Sequence, residues 1–230
     1  MTFVTLNTIV NDLLKIIRGS DVSNSEAISK RQLENWVHEY RAKLLKQDLD
    51  KGKRPNPDYI QEINYISLTP VDTGGDNLAS GIPETEEYLL KSNLTIPNTL
   101  DLNFKSGFMH IGTPLGDEIQ FIPEGRSKWQ KYKKYTKRDP MAFLRGNYLY
   151  VINNKPLHYI TLRGVFEIPP EVGRFVNPNT DQPYYDLDTR YPIPIDMVPV
   201  LKQMILSQEL KIESVSPADT SNDSAHNPKA

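Results

Sequence analysis

Apolar positions change their period twice along the chain. From Leu6 to Ile17 they recur at helical spacing: Leu6, Ile9, Val10, Leu13, Ile16 and Ile17 share one face, while Asn7, Asn11, Asp12, Lys15 and Arg18 take the other. Gly19 is placed to end that helix. A second helix begins at ISKRQL, where Ser29 can cap the first turn while Gln32 reaches back, and Ile28 and Leu33 occupy the two positions of a hydrophobic staple. Its stripe continues through Leu33, Trp36, Val37, Tyr40 and Leu44 to about Asp50. The two helices should pack as a hairpin, yet two helices do not enclose a core alone.

Pro55 and Pro57 then break the pattern, and from Tyr59 to Tyr191 the signal is short strands between turn residues. YIQEINYISLTPV, TLDLNF, FMHIG, IQFI, NYLYVI and HYITLRGVFEI are the candidates. YLYVI-NN-KPLHYITL reads as a hairpin, since Asn153-Asn154 tolerates the positive φ angles of a tight turn. That register sets Tyr150 across from Leu157 and Tyr148 across from Tyr159. Helical spacing returns after YPIPID, where Asp196 can cap and Pro199 falls among first-turn positions that need no N–H donor. Met197, Leu201, Met204, Ile205, Leu206, Leu210 and Ile212 leave that last helix little polar face, so it needs cover on most sides.

These elements predict an α+β protein: a helical bundle part formed by the N- and C-terminal helices, with an antiparallel β-rich insertion between them. Its divisions are an N-terminal helical hairpin over 1–54, the β-rich insertion over 55–191, the C-terminal helix rejoining the helical part over 192–213, and a tail over 214–230. The tail, SVSPADTSNDSAHNPKA from Ser214, is too polar to order itself and is expected to be flexible or ordered by a partner.

Charge sharpens this picture. The chain has 230 residues with 27 Lys and Arg against 29 Asp and Glu, a net charge of −2. Within it, RSKWQKYKKYTKR at residues 126–138 holds seven cations and no acid. Basic character is therefore segregated from an acidic remainder. The absence of cysteine excludes disulfides, thiolate catalysis and Cys-ligated metals. Neither a signal peptide nor an apolar run able to span a bilayer is present, so a soluble chain made in the cytoplasm is expected.

No catalytic constellation stands out. Phosphate-loop, dinucleotide, nucleophile-elbow and zinc-protease motifs are missing, and TGGDNLASG lacks the lysine and strand-to-helix setting of a phosphate cradle. His38, His110, His158 and His226 lack ligand spacing, so no metal and no cofactor is expected. Asp186, Asp188 and Arg190 cluster in YYDLDTRYP, which reads more readily as a loop brace than as paired catalytic carboxylates.

The basic stretch carries the remaining chemistry. Trp129, Tyr132 and Tyr135 recur at every third position, with Arg126, Lys128, Lys131, Lys133, Lys134, Lys137 and Arg138 around them. Three readings are open. Cations with stacking aromatics can track a nucleic-acid backbone. The aromatics can instead pack on the β part beneath solvated lysines, or the whole stretch can meet a partner protein.

Three segments give the chain a family likeness: ISKRQLENWVHEYRAKLLKQ, LLKSNLTIPNTLDLNFKSGFMHIGTPLG and KYTKRDPMAFLRGNYLYVINNKPLHYITLRGVFEIPPEV. Over about residues 5–50 and 88–172 the order of elements resembles the head-to-tail connector proteins of tailed bacteriophages, most closely the ring proteins of crAss-like phages. That resemblance implies a structural, non-enzymatic virion protein of the neck or tail, assembled in the host cytoplasm. It implies a ring of twelve copies below the portal, bound to the portal on one side and to the next ring or tail component on the other. DNA would then be transported cargo, with no membrane partner. In such a ring Met197, Leu201, Met204, Ile205 and Ile212 would pack between subunits, and the basic stretch would face a partner or the outer surface. The alternative is a nucleic-acid-binding accessory protein that uses residues 126–138.

Overall fold

The computed structural model describes residues 4–19, 28–71, 89–102, 107–127, 129, 132–136, 139–152 and 157–214, with the side chains at 18–19 and 210–214 outside that description. The α+β class is what is observed. The chain divides into two compact units, Met1–Asp58 with Leu187–Ala230, and Tyr59–Asp186.

The first unit is helical. Helix α1 spans Leu6–Gly19 and α2 spans Lys30–Asp50. The Thr5 hydroxyl accepts from Thr8 N–H (3.2 Å) and the Ser29 hydroxyl from Gln32 N–H (3.1 Å), so each helix starts on a side-chain cap. The C-terminal helix, Met197–Ser214, packs against both. Leu6, Ile9, Val10, Leu13 and Ile17 meet Leu33, Val37, Tyr40 and Leu45 and, from the returning chain, Tyr191, Ile193, Val198, Leu201 and Ile205, all buried. Leu45, not Leu44, completes the α2 stripe. Arg41 is the reason, because it occupies an inward position beside Tyr40 and turns the face by one residue.

A polar cluster lies inside this core. Arg41 is fully buried, donates through Nε to the Pro192 carbonyl at 2.7 Å and lies 5.6 Å from the Tyr191 ring centre. The Tyr191 hydroxyl and His38 Nδ1 share a hydrogen bond of 2.8 Å. Burial, reinforced by the Arg41 charge, lowers the His38 pKa from 6.5 to about 4, so the imidazole is neutral at pH 7. Tyr40 donates to Glu209, and burial together with that bond raises its pKa to about 12. Lys202 reaches Asp12 at 2.7 Å and ties the C-terminal helix to α1.

The second unit is built on seven strands: β1 Gln61–Pro70, β2 Leu89–Ser92, β3 Phe108–Gly112, β4 Gln120–Phe121, β5 Met141–Arg145, β6 Tyr148–Ile152 and β7 Tyr159–Gly164. Their order is β3-β7-β1-β2-β6-β5-β4. The first and last members of that order are consecutive in sequence. A Gly112↔Glu118 bridge and an Ile119 N–H to Ile111 carbonyl bond of 2.7 Å join them, so the sheet closes on itself as a barrel. Strand β1 turns the corner, pairing with β7 as far as Ser67 and with β2 from Leu68, with a register shift between Ile63 and Ile66. Leu149 to Ile152 of β6 are buried on both faces, and Phe143 stacks on Tyr150 with ring centres 5.3 Å apart. A separate short ribbon, β8 Val176–Asn177 with β9 Gln182–Pro183, follows a 3₁₀ segment at Pro169–Arg174.

Two sequence expectations are corrected here. Strands β6 and β7 do not form a hairpin: β6 pairs with β2 and β5, while β7 pairs with β1 and β3. Tyr150 therefore faces Lys91 and Phe143, Tyr148 faces Arg145, and Tyr159 faces Ser67. Asn153-Asn154 lies outside the described residues. The tight turn is one strand earlier in chain order, at Gly146-Asn147 between β5 and β6, where φ is 55° and 63°. Both angles are positive, as a two-residue turn matched to strand twist requires. The sheet is antiparallel-rich as expected, with β4 running parallel to β5. TLDLNF supplies only Thr99, in an isolated bridge to Phe166, and part of that segment is outside the described residues.

Closure leaves little room at Gly112. A Cβ there would stand 2.5 Å from the Asp117 carbonyl oxygen, which is backbone and does not swing aside. Gly112→Ala is expected to destabilise the barrel unit by about 1–3 kcal/mol. Gly125→Ala, with nothing within 4 Å of the added carbon, should change stability by under about 0.5 kcal/mol. Urea midpoints followed by near-ultraviolet tyrosine dichroism check both.

Candidate partner-binding surface

Parallel neighbours cannot be joined by a tight turn and need a crossover of a dozen or more residues. Strands β4 and β5 are such neighbours, and residues 123–140 are their crossover. The basic aromatic stretch is thus the connection that the topology demands. It opens with a helical turn, α3 Glu124–Ser127, fastened to β5 by an Arg145 Nε to Glu124 Oε1 contact of 3.3 Å. The Ser127 hydroxyl donates back to the Glu124 carbonyl at 2.7 Å. With this turn counted, the C-terminal helix Met197–Ser214 is α4.

The three-residue spacing has a backbone cause. Trp129 N–H donates to the Arg126 carbonyl (3.1 Å) and Tyr132 N–H to the Trp129 carbonyl (3.2 Å). Bonds between residues three apart bring side chains three apart onto one side. Trp129 and Tyr132 accordingly meet with ring centres 6.0 Å apart, and Lys134 Nζ stands 5.3 Å from the Tyr135 ring centre. Exposure rises along the stretch, 59% for Trp129, 70% for Tyr132 and 85% for Tyr135. These rings do not pack on the β part beneath solvated lysines, so that reading of the stretch fails. Arg126, Lys133 and Lys134 are exposed beside them, and Lys128, Lys131, Lys137 and Arg138 lie outside the described residues. A cationic side chain near a water-facing aromatic makes a surface that gains by being covered.

The residues expected to pack between subunits fall into different environments. Leu201 and Ile205 are covered by the chain's own core. Met197 and Met204 are half-buried, and the Ile212 side chain is outside the description. Ile195 and Val200, which the periodicity did not single out, stand exposed at the start of α4. Leu115 was also missed. It is 93% exposed, and its signal was a leucine set between Pro114 and Gly116 in a hairpin turn.

Among the described residues the candidate chemical groups do not form one cluster. His38 is committed to Tyr191, His158 is exposed, and His226 and TGGDNLASG lie outside the described residues. Arg190 pairs with Asp58 at 2.9 Å, and Asp186 and Asp188 are exposed. Among the described residues no group of His, Cys, Asp and Glu could hold a metal ion, and no helix is long and apolar enough to cross a membrane.

A family model described as phage tail ring protein 2 matches residues 8–228, nearly the whole chain. The chain belongs to this family of crAss-like phage ring proteins. No curated protein matches it. Membership makes the chain a structural component of a bacteriophage tail, found in the virion and assembling as an oligomer. The match runs through both units, so the helical unit and the barrel belong to one family architecture.

Proposed function

We propose that this chain forms a ring of the head-to-tail connector, twelve copies below the portal, sealing the joint and leaving a conduit for DNA. The crossover 123–140 meets a neighbouring protein, either the portal or the next ring or tail component. The observation that carries this reading is the solvent-facing Trp129, Tyr132 and Tyr135 on a connection braced to β5. Tyrosine and tryptophan are the residues that dominate protein interfaces once covered. The same side chains turned toward a lumen would pair their lysines with phosphate in every copy, and a conduit that grips its cargo cannot release it. Ile195 and Val200, with half-buried Met197 and Met204, supply apolar surface for packing between subunits. The residues after 214 serve as arms laid on neighbours.

Replacing Trp129, Tyr132 and Tyr135 together with alanine tests the reading. Because the rings are exposed, folding stability is expected to change by under about 0.5 kcal/mol. Incorporation into tails should fall by at least about a hundredfold, since two interface anchors worth about 2 kcal/mol each already account for that. Quantitative gels of purified particles read it. If the isolated protein instead retains duplex DNA, loses it with salt and loses it in the triple variant, the nucleic-acid reading replaces this one.

A further inference from the structure

The hairpin between β3 and β4 ends in Thr113-Pro114-Leu115-Gly116-Asp117. Thr113 N–H donates to the Asp117 carbonyl at 2.8 Å, Gly116 N–H to the Thr113 carbonyl at 2.9 Å, and Asp117 N–H to the Thr113 hydroxyl at 3.2 Å. Gly116 supplies a φ of 100°, and Pro114 fixes its own φ. The turn is held from several sides, yet Leu115 at its apex is 93% exposed. A flexible loop can tuck a leucine away; a braced turn cannot.

At the other end of the barrel is a cleft of about 240 Å³. Ile96, Pro97, Phe108 and Leu144 give it apolar walls, and Asn98, Asn147, Thr99 and Glu167 form its rim. The strand register separates the two features. Phe108 opens β3 opposite Gly164, while Gly112 closes β3 beside the hairpin, and the Gly146-Asn147 turn lies at the Phe108 end. The cleft is smaller than ordinary small-molecule pockets, which begin near about 300 Å³. It is ample for a side chain, since a space on the order of 150 Å³ already accepts benzene.

We propose that Leu115 of one copy seats in the Ile96–Phe108–Leu144 cleft of the next copy. This rests on the ring reading and adds its subunit contact. A closed ring needs two different faces that meet, and the opposite ends of one barrel are two such faces. The joined end strands β3 and β4 direct their backbone hydrogen bonds to each other and to β7 and β5, so side chains and turns carry the contact. Asp117 and Glu118 flank the tip and Glu167 stands on the rim, while Arg145, next to Leu144 in β5, is engaged by Glu124. Charge therefore does not favour the pairing, and apolar insertion supplies the affinity.

The absence of native cysteine makes the test clean. Full-length chain carrying Leu115→Cys and Asn98→Cys is assembled into tails and treated with a mild oxidant or a short bismaleimide. A ladder of covalent multimers is expected on denaturing gels, with each single variant staying monomeric. Leu115→Asp should cut incorporation at least tenfold without moving the thermal midpoint of the free protein. Double-variant particles that contain the chain but give no ladder would overturn the insertion and leave the ring reading standing. Dimers from Leu115→Cys alone would overturn it in favour of a two-fold contact, and normal assembly of Leu115→Asp would overturn any contact through this leucine. A wild-type chain absent from purified tails would overturn the ring reading and this contact together.

Discussion

Arg41→Ala is expected to lower the stability of the helical unit by roughly 3–5 kcal/mol, the sum of a large core cavity and an orphaned carbonyl. The guanidinium is fully buried among α2 and the chain returning at Tyr191 and Pro192. Truncation removes the donor to the Pro192 carbonyl, the cation beside the Tyr191 ring, and the long aliphatic stem that fills the space between them. Arg41→Met restores most of the volume and is expected to recover about half of the loss, because the carbonyl stays unsatisfied. Fluorescence resolves the unit: of the two tryptophans, Trp36 is on α2 and Trp129 on the barrel's crossover. A urea transition of Trp36 unchanged in Arg41→Ala would refute the assignment. Removal of the cation should also raise the His38 pKa, while burial, the larger cause, keeps it below 6.5.

Acid is expected to loosen the same unit. The folded pKa of His38 is about 4 against 6.5 in the unfolded chain, so between those values the unfolded state binds a proton that the folded state refuses. Stability therefore falls as pH drops from about 6.5 toward 4, by on the order of 3 kcal/mol over the full window. His38→Asn keeps an amide within reach of the Tyr191 hydroxyl and carries no titrating group. Its profile through that window should be flatter by about the same amount. Parallel profiles for the two proteins would show that His38 contributes nothing to the acid response.

Helical elements were the more legible part of the sequence, because helical caps and periods are local. Ser29 caps α2 as its sequence indicates, and the α1 stripe is buried apart from Ile16. Strands were harder. FMHIG matches β3 residue for residue, but MAFLR and LLKS escaped notice, the one a continuous apolar run and the other only four residues long. Asn153-Asn154 was a genuine turn signal without the power to choose partners: β1 and β2 pair between β7 and β6, and their distance along the chain is not a local property. The basic stretch was conspicuous from composition, yet its status as a parallel crossover depends on β4 and β5 being neighbours. Leu115 shows the same limit from the other side. Its exposure follows from the hydrogen bonds that hold the turn outward, and nothing in its residue type announces that.

Because β3 and β4 meet, the two outermost members of the strand order each have partners on both sides among the described residues. A bare row of amide groups on an end strand is a template on which sheets of different chains join and seed fibrils. Joining the two end strands removes that template from them. Contacts with other chains at these two strands are then left to side chains and turns.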